Sequence, residues 1–428
     1  MDLDKLDATL ARIAPGLELE LPRGEKITLQ FARLDDFHPD RIWEQNEFFA
    51  PHRRMRAELT NPATFAAAMA PVAPQGRVES PAPQPAGAAA DLFSSLMGSQ
   101  PASTTSSRTP AAAVEAMIKQ AVASHVVSGP DPRQAEIIAA FDAAISGQMR
   151  ALLHHPHFQA LEAAWRGVDF LLRNVDTDES LEVCLLDVSR AELAADLRTA
   201  NDLAASAIWE ILAEQPVGVR PWTVVAGLFV FQPNDDDADL LARLATIAAA
   251  ARLPFIAAAG PQFLEAAQAR TDERESGTAW QTLRNLPQAR HAGLVAPRFL
   301  LRLPYGRGAD QVDHFAFEEM PPVAEHDALL WGNPALIATL LLANSWRDEG
   351  WSFSPPVNFE VNGLPVHVFT ESGEKKLTPC GEVLLTDRVA ENLLALGVMP
   401  LASIRDRDAV RLLRFQSIAQ PATALAGL

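Results

Sequence analysis

The chain is poor in cysteine, tyrosine and basic residues. Its 428 residues include two cysteines and one tyrosine, and 36 Lys and Arg against 54 Asp and Glu give a net charge of −18. Two distant cysteines, Cys184 and Cys380, provide neither a disulfide framework nor a zinc site. An acidic chain lacks the basic surface that nucleic acids and anionic membranes require, so neither is expected as a partner.

Long apolar runs are missing as well. The longest strongly apolar stretch, residues 335–343, is too short to span a bilayer. Residues 1–16 are acidic and amphipathic and have no basic region followed by an apolar core, so they do not form a signal peptide. We therefore expect a cytoplasmic protein without membrane insertion. Cys184 lies within the apolar run 181–188, which predicts a buried and unreactive thiol.

Catalytic motifs are absent from the sequence. There is no Gly-rich phosphate loop, no His-Glu-x-x-His, no Cys-x-x-Cys and no Gly-x-Ser-x-Gly. His154, His155 and His157 are the best metal candidates, but neighbouring helical side chains diverge, so capping of a helix is expected instead. Asp235–Asp237 are expected to stabilise a helix N-terminus. We predict no catalytic residue, no metal, no cofactor and no enzymatic activity.

Composition divides the chain into three zones, residues 1–69, 70–110 and 111–428. The middle zone is rich in Pro, Ala, Ser and Gly, which predicts a tether that cannot fold alone. Within it, residues 91–97 form an apolar island that either docks on a partner or is only a sticky patch. The residues that would face a partner there are Leu92, Phe93 and Leu96.

Hydrophobic periodicity in the third zone predicts an α/β fold, a mixed sheet with flanking helices. Helices are expected at 111–127 and 132–149, and Phe158, Leu161, Trp165 and Val168 lie on one stripe of a third helix. Apolar runs at 181–188, 222–231 and 254–259 alternate with helical stretches, as in a sheet with crossover helices. Later strands are expected at 382–387 and 398–404, with a last helix at 407–418. Residues 27–31 and the helix start near Pro39 predict a small α+β segment in the first zone.

Two arginines stand in the apolar stretch 293–306. Arg298 and Arg302 flank apolar residues of Pro-Arg-Phe-Leu-Leu-Arg-Leu-Pro-Tyr-Gly. Arginines in such a strand usually pair with carboxylates across a buried contact or a subunit contact. Both are therefore candidates for partner binding.

Several motifs resemble the large subunit of the type VI secretion contractile sheath. Its helix signature corresponds to Phe158, Gln159, Leu161, Glu162, Trp165, Arg166 and Gly167. Its most specific segment falls on Gly293, Leu294, Pro297, Arg298, Phe299, Leu300, Arg302, Pro304, Tyr305 and Gly306. The Trp331-Gly332-Asn333 helix start and the stretch 379–401 are similar as well. The likeness covers roughly residues 111–418 in the family's order.

A second, shorter resemblance concerns residues 27–45. The strand followed by Asp-Phe-x-Pro-Asp and a helix is similar to the small sheath subunit, with Asp36, Phe37, His38, Pro39 and Asp40 in the motif. By this resemblance, Asp36, Phe37 and Pro39 are candidate partner-binding residues. The chain would then combine a small-subunit-like segment with a domain folded like contractile-tail sheaths.

The resemblance implies a structural protein that acts through subunit contacts. Its implied partners are the small and large sheath subunits or baseplate components. In this family an AAA+ unfoldase recognises an N-terminal helix of the large subunit, which corresponds here to the helix carrying Met117 and Ile118.

The likeness also has departures. The large subunit normally continues beyond the position of Phe415 with a terminal strand that joins neighbours, so the chain resembles a truncated relative. This leaves open a sheath building block or a non-polymerising cap, adaptor or baseplate-linked accessory. A nucleotide-binding enzyme is the distant alternative, since an α/β fold alone does not specify activity.

Overall fold

A computed structural model describes residues 1–69, 131–199, 202–214, 221–269, 278–320, 326–350, 359–371 and 374–428. The helix expected at 111–127 and the apolar island at 91–97 lie outside these ranges. In the part of the chain that is described, no helix combines the length and apolarity needed to cross a membrane.

The first 69 residues form a small α+β unit. Helix α1 (Leu6–Ile13) precedes an antiparallel hairpin of β1 (Gly16–Glu20) and β2 (Lys26–Gln30), in which Leu17 faces Leu29 and Leu19 faces Ile27. Helices α2 (Pro39–Gln45), α3 (Ala50–Thr60) and α4 (Pro62–Ala68) follow. The predicted strand and the helix start at Pro39 are confirmed, and His38 Nδ1 caps α2 by accepting the Asp40 N–H.

Two long helices come next, α5 (Gln134–Leu153) and α6 (Pro156–Asn174). His155 caps α6 by accepting the N–H of His157, and Pro156 occupies the first helical turn, so the expected capping role is confirmed. The predicted stripe is buried as well: Phe158 is 0% exposed and Trp165 is 7% exposed.

The remainder is built around a mixed sheet. Its helices are α7 (Arg190–Thr199), α8 (Asp235–Ala251), α9 (Pro261–Ala269), α10 (Thr278–Arg284), α11 (Ala335–Glu349) and α12 (Asp387–Ala395). Its strands are β3 (Val225–Phe231), β4 (Phe255–Ala259), β5 (Ala292–Ala296), β6 (Phe299–Arg302), β7 (Leu330–Gly332), β8 (Glu360–Val361), β9 (Val368–Glu371), β10 (Glu374–Leu377), β11 (Val398–Ser403) and β12 (Val410–Leu412).

Six of these strands form one sheet in the order β3-β4-β5-β11-β12-β8. The first four are mutually parallel, and β12 and β8 complete the sheet in antiparallel pairings. Alternate residues of each strand face opposite sides: Phe255 and Ala257 pack with α8, whereas Ile256 packs with α11. The predicted α/β architecture with flanking helices is confirmed.

Two smaller ribbons complete the fold. Strands β6 and β7 pair with each other in antiparallel fashion, and β9 and β10 form a separate hairpin. The apolar stretch 335–343 lies in α11, whose residues from Ala335 to Leu342 are buried in the core. Helix α12 is capped by Thr386, whose side chain accepts the N–H of Val389, and Gly397 follows the helix with a φ of +83°, which favours glycine.

Three expected elements were wrong. Residues 181–188 are extended but form no strand, and Cys184 is exposed. In the predicted strand 382–387, residues 382–386 form a loop in which Leu384 is 56% exposed, and Asp387 begins α12. Residues 407–418 contain β12 instead of a helix, because Val410 and Leu412 are buried while Arg411 between them is exposed, a period of two that suits a strand.

A candidate subunit-contact site around a buried charge network

Four charged side chains meet between α6, β6 and residues 305–319. Helix α6 supplies Glu162 and Arg166, which are one turn apart and therefore lie on the same face. Strand β6 supplies Arg302, and Glu319 reaches the network from the far end of the following loop. Both carboxylates are 0% exposed.

Arg302 is the centre of this network. It donates to Glu162 from Nε at 2.8 Å and from Nη2 at 3.0 Å. It also donates to Glu319 from Nη1 at 2.7 Å and from Nη2 at 3.1 Å. A planar guanidinium can bind two carboxylates in this way, whereas the ammonium of a lysine cannot.

Arg166 and Tyr305 close the network on its other side. Arg166 donates to Glu162 Oε1 at 2.7 Å and to the Tyr305 hydroxyl at 2.7 Å. The Arg302 guanidinium lies 4.1 Å from the centre of the Tyr305 ring, a cation–π distance. Two partly buried cations thus balance two buried anions, and each charge has a partner.

This environment changes the ionisation of its members. Burial opposes the charge of Glu319, but the Arg302 cation and the hydrogen bonds to the carboxylate outweigh burial and lower its pKa to about 2. Burial also disfavours the charge of Arg302, yet the two carboxylates raise its pKa well above the usual value. Burial raises the pKa of Tyr305, so the phenol stays protonated.

The network closes the base of the loop between Tyr305 and Glu319. The Tyr305 N–H donates to the Glu319 carboxylate at 2.7 Å, and the Glu319 N–H donates to the Tyr305 carbonyl at 2.9 Å. On the loop itself, Phe315 and Phe317 are buried in the same core as α5 and α6. The charge network and the loop therefore form one unit.

The N-terminal segment contacts this loop directly. The Asp40 carboxylate accepts the N–H groups of Asp313 and His314 at 3.1–3.2 Å. The ring of His38 packs edge-on against Tyr305 with centroids 4.8 Å apart. Residues 1–69 and the region of α5 and α6 consequently share one hydrophobic core.

The three predicted residues of the small-subunit-like motif take part in this packing. Phe37 is 0% exposed and lies 4.1 Å from Phe31 and 5.8 Å from Phe158, measured between ring centroids. Asp36 accepts the N–H groups of Ala32 and Arg33, both at 2.8 Å. Pro39 is buried at the start of α2. Their contacts here are within the chain, and binding of a separate partner stays a prediction.

The other predicted residues are separate from this group. Arg298 lies outside the network and makes a two-bond ion pair with Glu382, at 2.8 and 2.6 Å. Arg302 lies at the centre of the network and is partly buried. The expectation that both arginines pair with carboxylates is met within the chain. Outside the described residues lie Leu92, Phe93, Leu96, Met117 and Ile118.

Sequence reasoning missed the acidic half of the network. Glu162 was visible as the i−4 neighbour of Arg166, but Glu319 is 17 residues from Arg302 and has no local signal. It also missed the pairing of Arg56 with Asp142, which joins the first zone to α5.

The geometry suits a structural role. The described residues contain no group of three His, Cys, Asp or Glu side chains placed to hold a metal. In the network, each carboxylate is fixed by arginine, and none has the freedom that a general base needs. Close packing supports the same interpretation: a Cβ at Gly167 would lie 2.5 Å from Leu336 of α11.

Comparison with known proteins gives a consistent result. Residues 135–419 match the VipB family model, described as EvpB/VC_A0108, tail sheath N-terminal domain. The chain is also similar to the type VI secretion system sheath protein TssC1 of Pseudomonas aeruginosa strain PAO1, with 33% identity over 305 residues. The aligned region covers 67% of this chain and 61% of that relative, so the chain spans about three-fifths of the relative's length.

Proposed function

Because this chain belongs to the tail sheath family, we propose that it is a structural component of a type VI secretion contractile apparatus that acts through subunit contacts. The buried network carries this proposal. Its paired charges join α6, β6 and the loop 305–319. This supports a role in fixing the relative positions of the surfaces that these elements present. The proposed partners are small and large sheath subunits or baseplate components.

The N-terminal segment defines the contact surface in this proposal. Residues 1–69 resemble part of the small subunit over 27–45, and they pack on α5, α6 and the loop 305–319. We infer that this surface is where a small-subunit-like element sits, and that the chain supplies that element itself.

This intramolecular packing favours a second candidate function. A chain that already covers this surface with its own segment has no room there for a separate small subunit. It would then serve as a cap, an adaptor or a baseplate-linked accessory that does not polymerise.

Electron microscopy separates the two candidates. The full chain is purified alone and also co-expressed with the small and large sheath subunits of the same secretion system, and each sample is examined in negative stain. Tubes that contain the chain along their length indicate a building block. Discrete particles, or tubes with the chain at one end only, indicate a cap or an adaptor.

Absence of co-purification with either subunit or with baseplate components would contradict both candidate functions.

A matched pair of variants tests whether the intramolecular packing blocks the small subunit. Asp40→Asn weakens the cap on the N–H groups of Asp313 and His314, whereas Asp35→Asn changes an exposed carboxylate of the same segment. If the intramolecular packing blocks the small subunit, Asp40→Asn increases its binding and Asp35→Asn does not. Equal binding by wild type and both variants would argue against the blocking role.

A further inference from the structure

His52 of α3 lies in the contact between the N-terminal segment and α5, and it is 2% exposed. Three phenylalanine rings surround its imidazole. Phe48 and Phe49 belong to the turn before α3 and have ring centroids 5.8 and 5.9 Å away, and Phe141 of α5 is at 6.4 Å. The two helices therefore enclose a titratable ring in an apolar part of the core that they share.

The hydrogen bonds of the ring determine its tautomer. Nδ1 lies 3.3 Å from the main-chain oxygen of Phe48, which can only accept, so Nδ1 carries the proton. Nε2 is then the acceptor of the ring, and it is buried without a hydrogen-bond partner among the described residues. A second proton, on Nε2, would create a buried cation whose new N–H has no acceptor.

The charged groups of α3 and of the turn before it cannot neutralise such a cation. Arg56, one helical turn after His52 and on the same face, is itself a cation. Arg53 donates to the main-chain oxygens of Trp43 and Asn46. The carboxylate of Glu47 belongs to an exposed residue, where water screens its charge.

The carboxylates of the other neighbouring elements do not neutralise it either. Both oxygens of Asp142 in α5 already accept hydrogen bonds from Arg56. Glu25, in the turn between β1 and β2, is half-buried and favours a charged imidazole. Burial has the larger effect, however, and it lowers the pKa of His52 below its ordinary value.

The direction of this shift determines how acid acts on the contact. Because the folded protein keeps His52 neutral, the unfolded chain binds more protons as the pH falls below about 6.5. The stabilisation from neutral His52 is therefore complete above that pH. It is lost as the pH falls toward the lower pKa of the folded state.

Two other histidines of the N-terminal contact differ from His52 because each lies beside a carboxylate. His38 Nε2 is 3.6 Å from Asp310 Oδ1, and His314 Nε2 is 2.7 Å from Glu44 Oε1. A proton on either ring would be balanced by its neighbour, so acid does not oppose the contact there. Among these three histidines, His52 is the one that acid would place as an uncompensated charge in the core.

We propose that neutral His52 holds α3 on α5, and that protonation of His52 loosens the N-terminal segment and uncovers the face of α5 beneath it. The inference rests on the proposed function, in which this segment covers a surface for subunit contacts. Its test follows contacts within the chain only, so a negative result would leave the proposed structural role intact.

Hydrogen exchange of the full chain, measured by mass spectrometry at pH 7.5 and 5.5, tests the proposal. Rates are corrected for the intrinsic dependence of amide exchange on pH. We expect the protection of α3 to fall about three- to tenfold at the lower pH, because His52 becomes protonated when α3 leaves α5. Helix α11, which lies in a different core, should keep its protection.

Variants identify the group responsible. His52→Leu suits the apolar site, and His52→Gln keeps a donor for the Phe48 carbonyl, but neither side chain can take up a proton. Both should abolish the extra loss of protection at pH 5.5. The matched control is His157→Gln, which replaces an exposed histidine and should behave as wild type. Circular dichroism at pH 7.5 verifies that the variants fold.

Three results would overturn the proposal. The first is unchanged protection of α3 in the wild type between the two pH values. The second is an equal loss of protection in the wild type and in a folded His52 variant, which would assign the effect to another group. The third is an equal loss in α3 and α11, which would mean that acid unfolds the chain as a whole.

Discussion

Arg56 of α3 donates two hydrogen bonds to the carboxylate of Asp142 in α5, at 2.7 Å from Nε and 3.0 Å from Nη2. The two residues are 86 positions apart in sequence. Asp142 is 5% exposed, so the pair is a partly buried connection between the N-terminal segment and the sheath-like domain.

Replacing Arg56 should weaken this connection. Arg56→Ala leaves the buried Asp142 carboxylate without its guanidinium and should lower the free energy of unfolding by about 2–3 kcal/mol. Urea unfolding of the full chain measures the change. Arg54 provides the control, because it lies two residues earlier in α3 and is exposed. Arg54→Ala should change the free energy of unfolding by less than about 0.5 kcal/mol. Equal effects of the two substitutions would contradict a role for the ion pair.

Truncating Trp165 should leave a cavity in the core that α6 shares with the N-terminal segment. The side chain is 7% exposed within the shared core, so Trp165→Ala should cost about 3–5 kcal/mol. Trp165→Phe, which keeps most of the apolar contact, should cost less. A loss below roughly 1 kcal/mol in denaturant unfolding would indicate that the indole contributes little to the core.

Replacing Arg302 by lysine should destabilise the folded protein. Arg302→Lys keeps the charge but loses the planar group that binds Glu162 and Glu319 together, so we expect a loss of about 2–4 kcal/mol. The control is Arg307→Lys in the same loop, whose side chain is 85% exposed and which should be close to neutral. Thermal unfolding of both variants is the measurement. A stable Arg302→Lys protein would show that charge alone suffices.

The network should also be sensitive to acid. The pKa of Glu319 is lowered from 4.5 to about 2 by Arg302 and its hydrogen bonds, against the effect of burial. Because the folded pKa lies below the unfolded value, the stabilisation is complete above about pH 4.5 and is lost as the pH falls toward 2. Its size is about 3 kcal/mol at most.

The pH dependence can be isolated by comparing wild type with Glu319→Gln. Unfolding free energies measured between pH 2.5 and 6 should fall more steeply with acid for the wild type than for the variant. Parallel curves would mean that Glu319 does not titrate differently in the folded and unfolded states.

The family resemblance predicts recognition of the region around Met117 and Ile118 by an AAA+ unfoldase. Met117→Asp together with Ile118→Asp should abolish binding of the unfoldase to the full chain in a pull-down with purified components. Val122→Asp, in the same stretch, serves as a comparison. Undiminished binding of the double variant would exclude this site.

The sequence predicts the elements with strong local signals. Helix α6 has a capping His155, Pro156 in its first turn and a stripe that ends in Val168, and all three features are found in the structure. Strand β4 is an apolar run buried along its whole length, and β11 is buried over its first four residues; the sequence predicts both strands. In such elements local preference and tertiary packing agree.

The predictions fail where neighbouring parts of the structure determine the conformation of a segment and the local sequence does not. Residues 181–188 have the apolar composition of a buried strand, but one side of the segment faces solvent. Some of its apolar side chains, Cys184 and Leu186, are therefore exposed. Residues 410–412 form a strand because β8 and β11 flank them, and this placement cannot be seen in the local sequence. The carboxylates that pair with Arg302 belong to Glu162 and Glu319, which lie far apart in the sequence, so no local pattern indicates the network.

The N-terminal segment and the sheath-like domain are joined by a shared core as well as by the polypeptide link between residues 69 and 131. An engineered protease site in that link would therefore yield two fragments that stay associated after cleavage. Within the chain, a pull on the first residues would reach the loop 305–319 through side-chain packing.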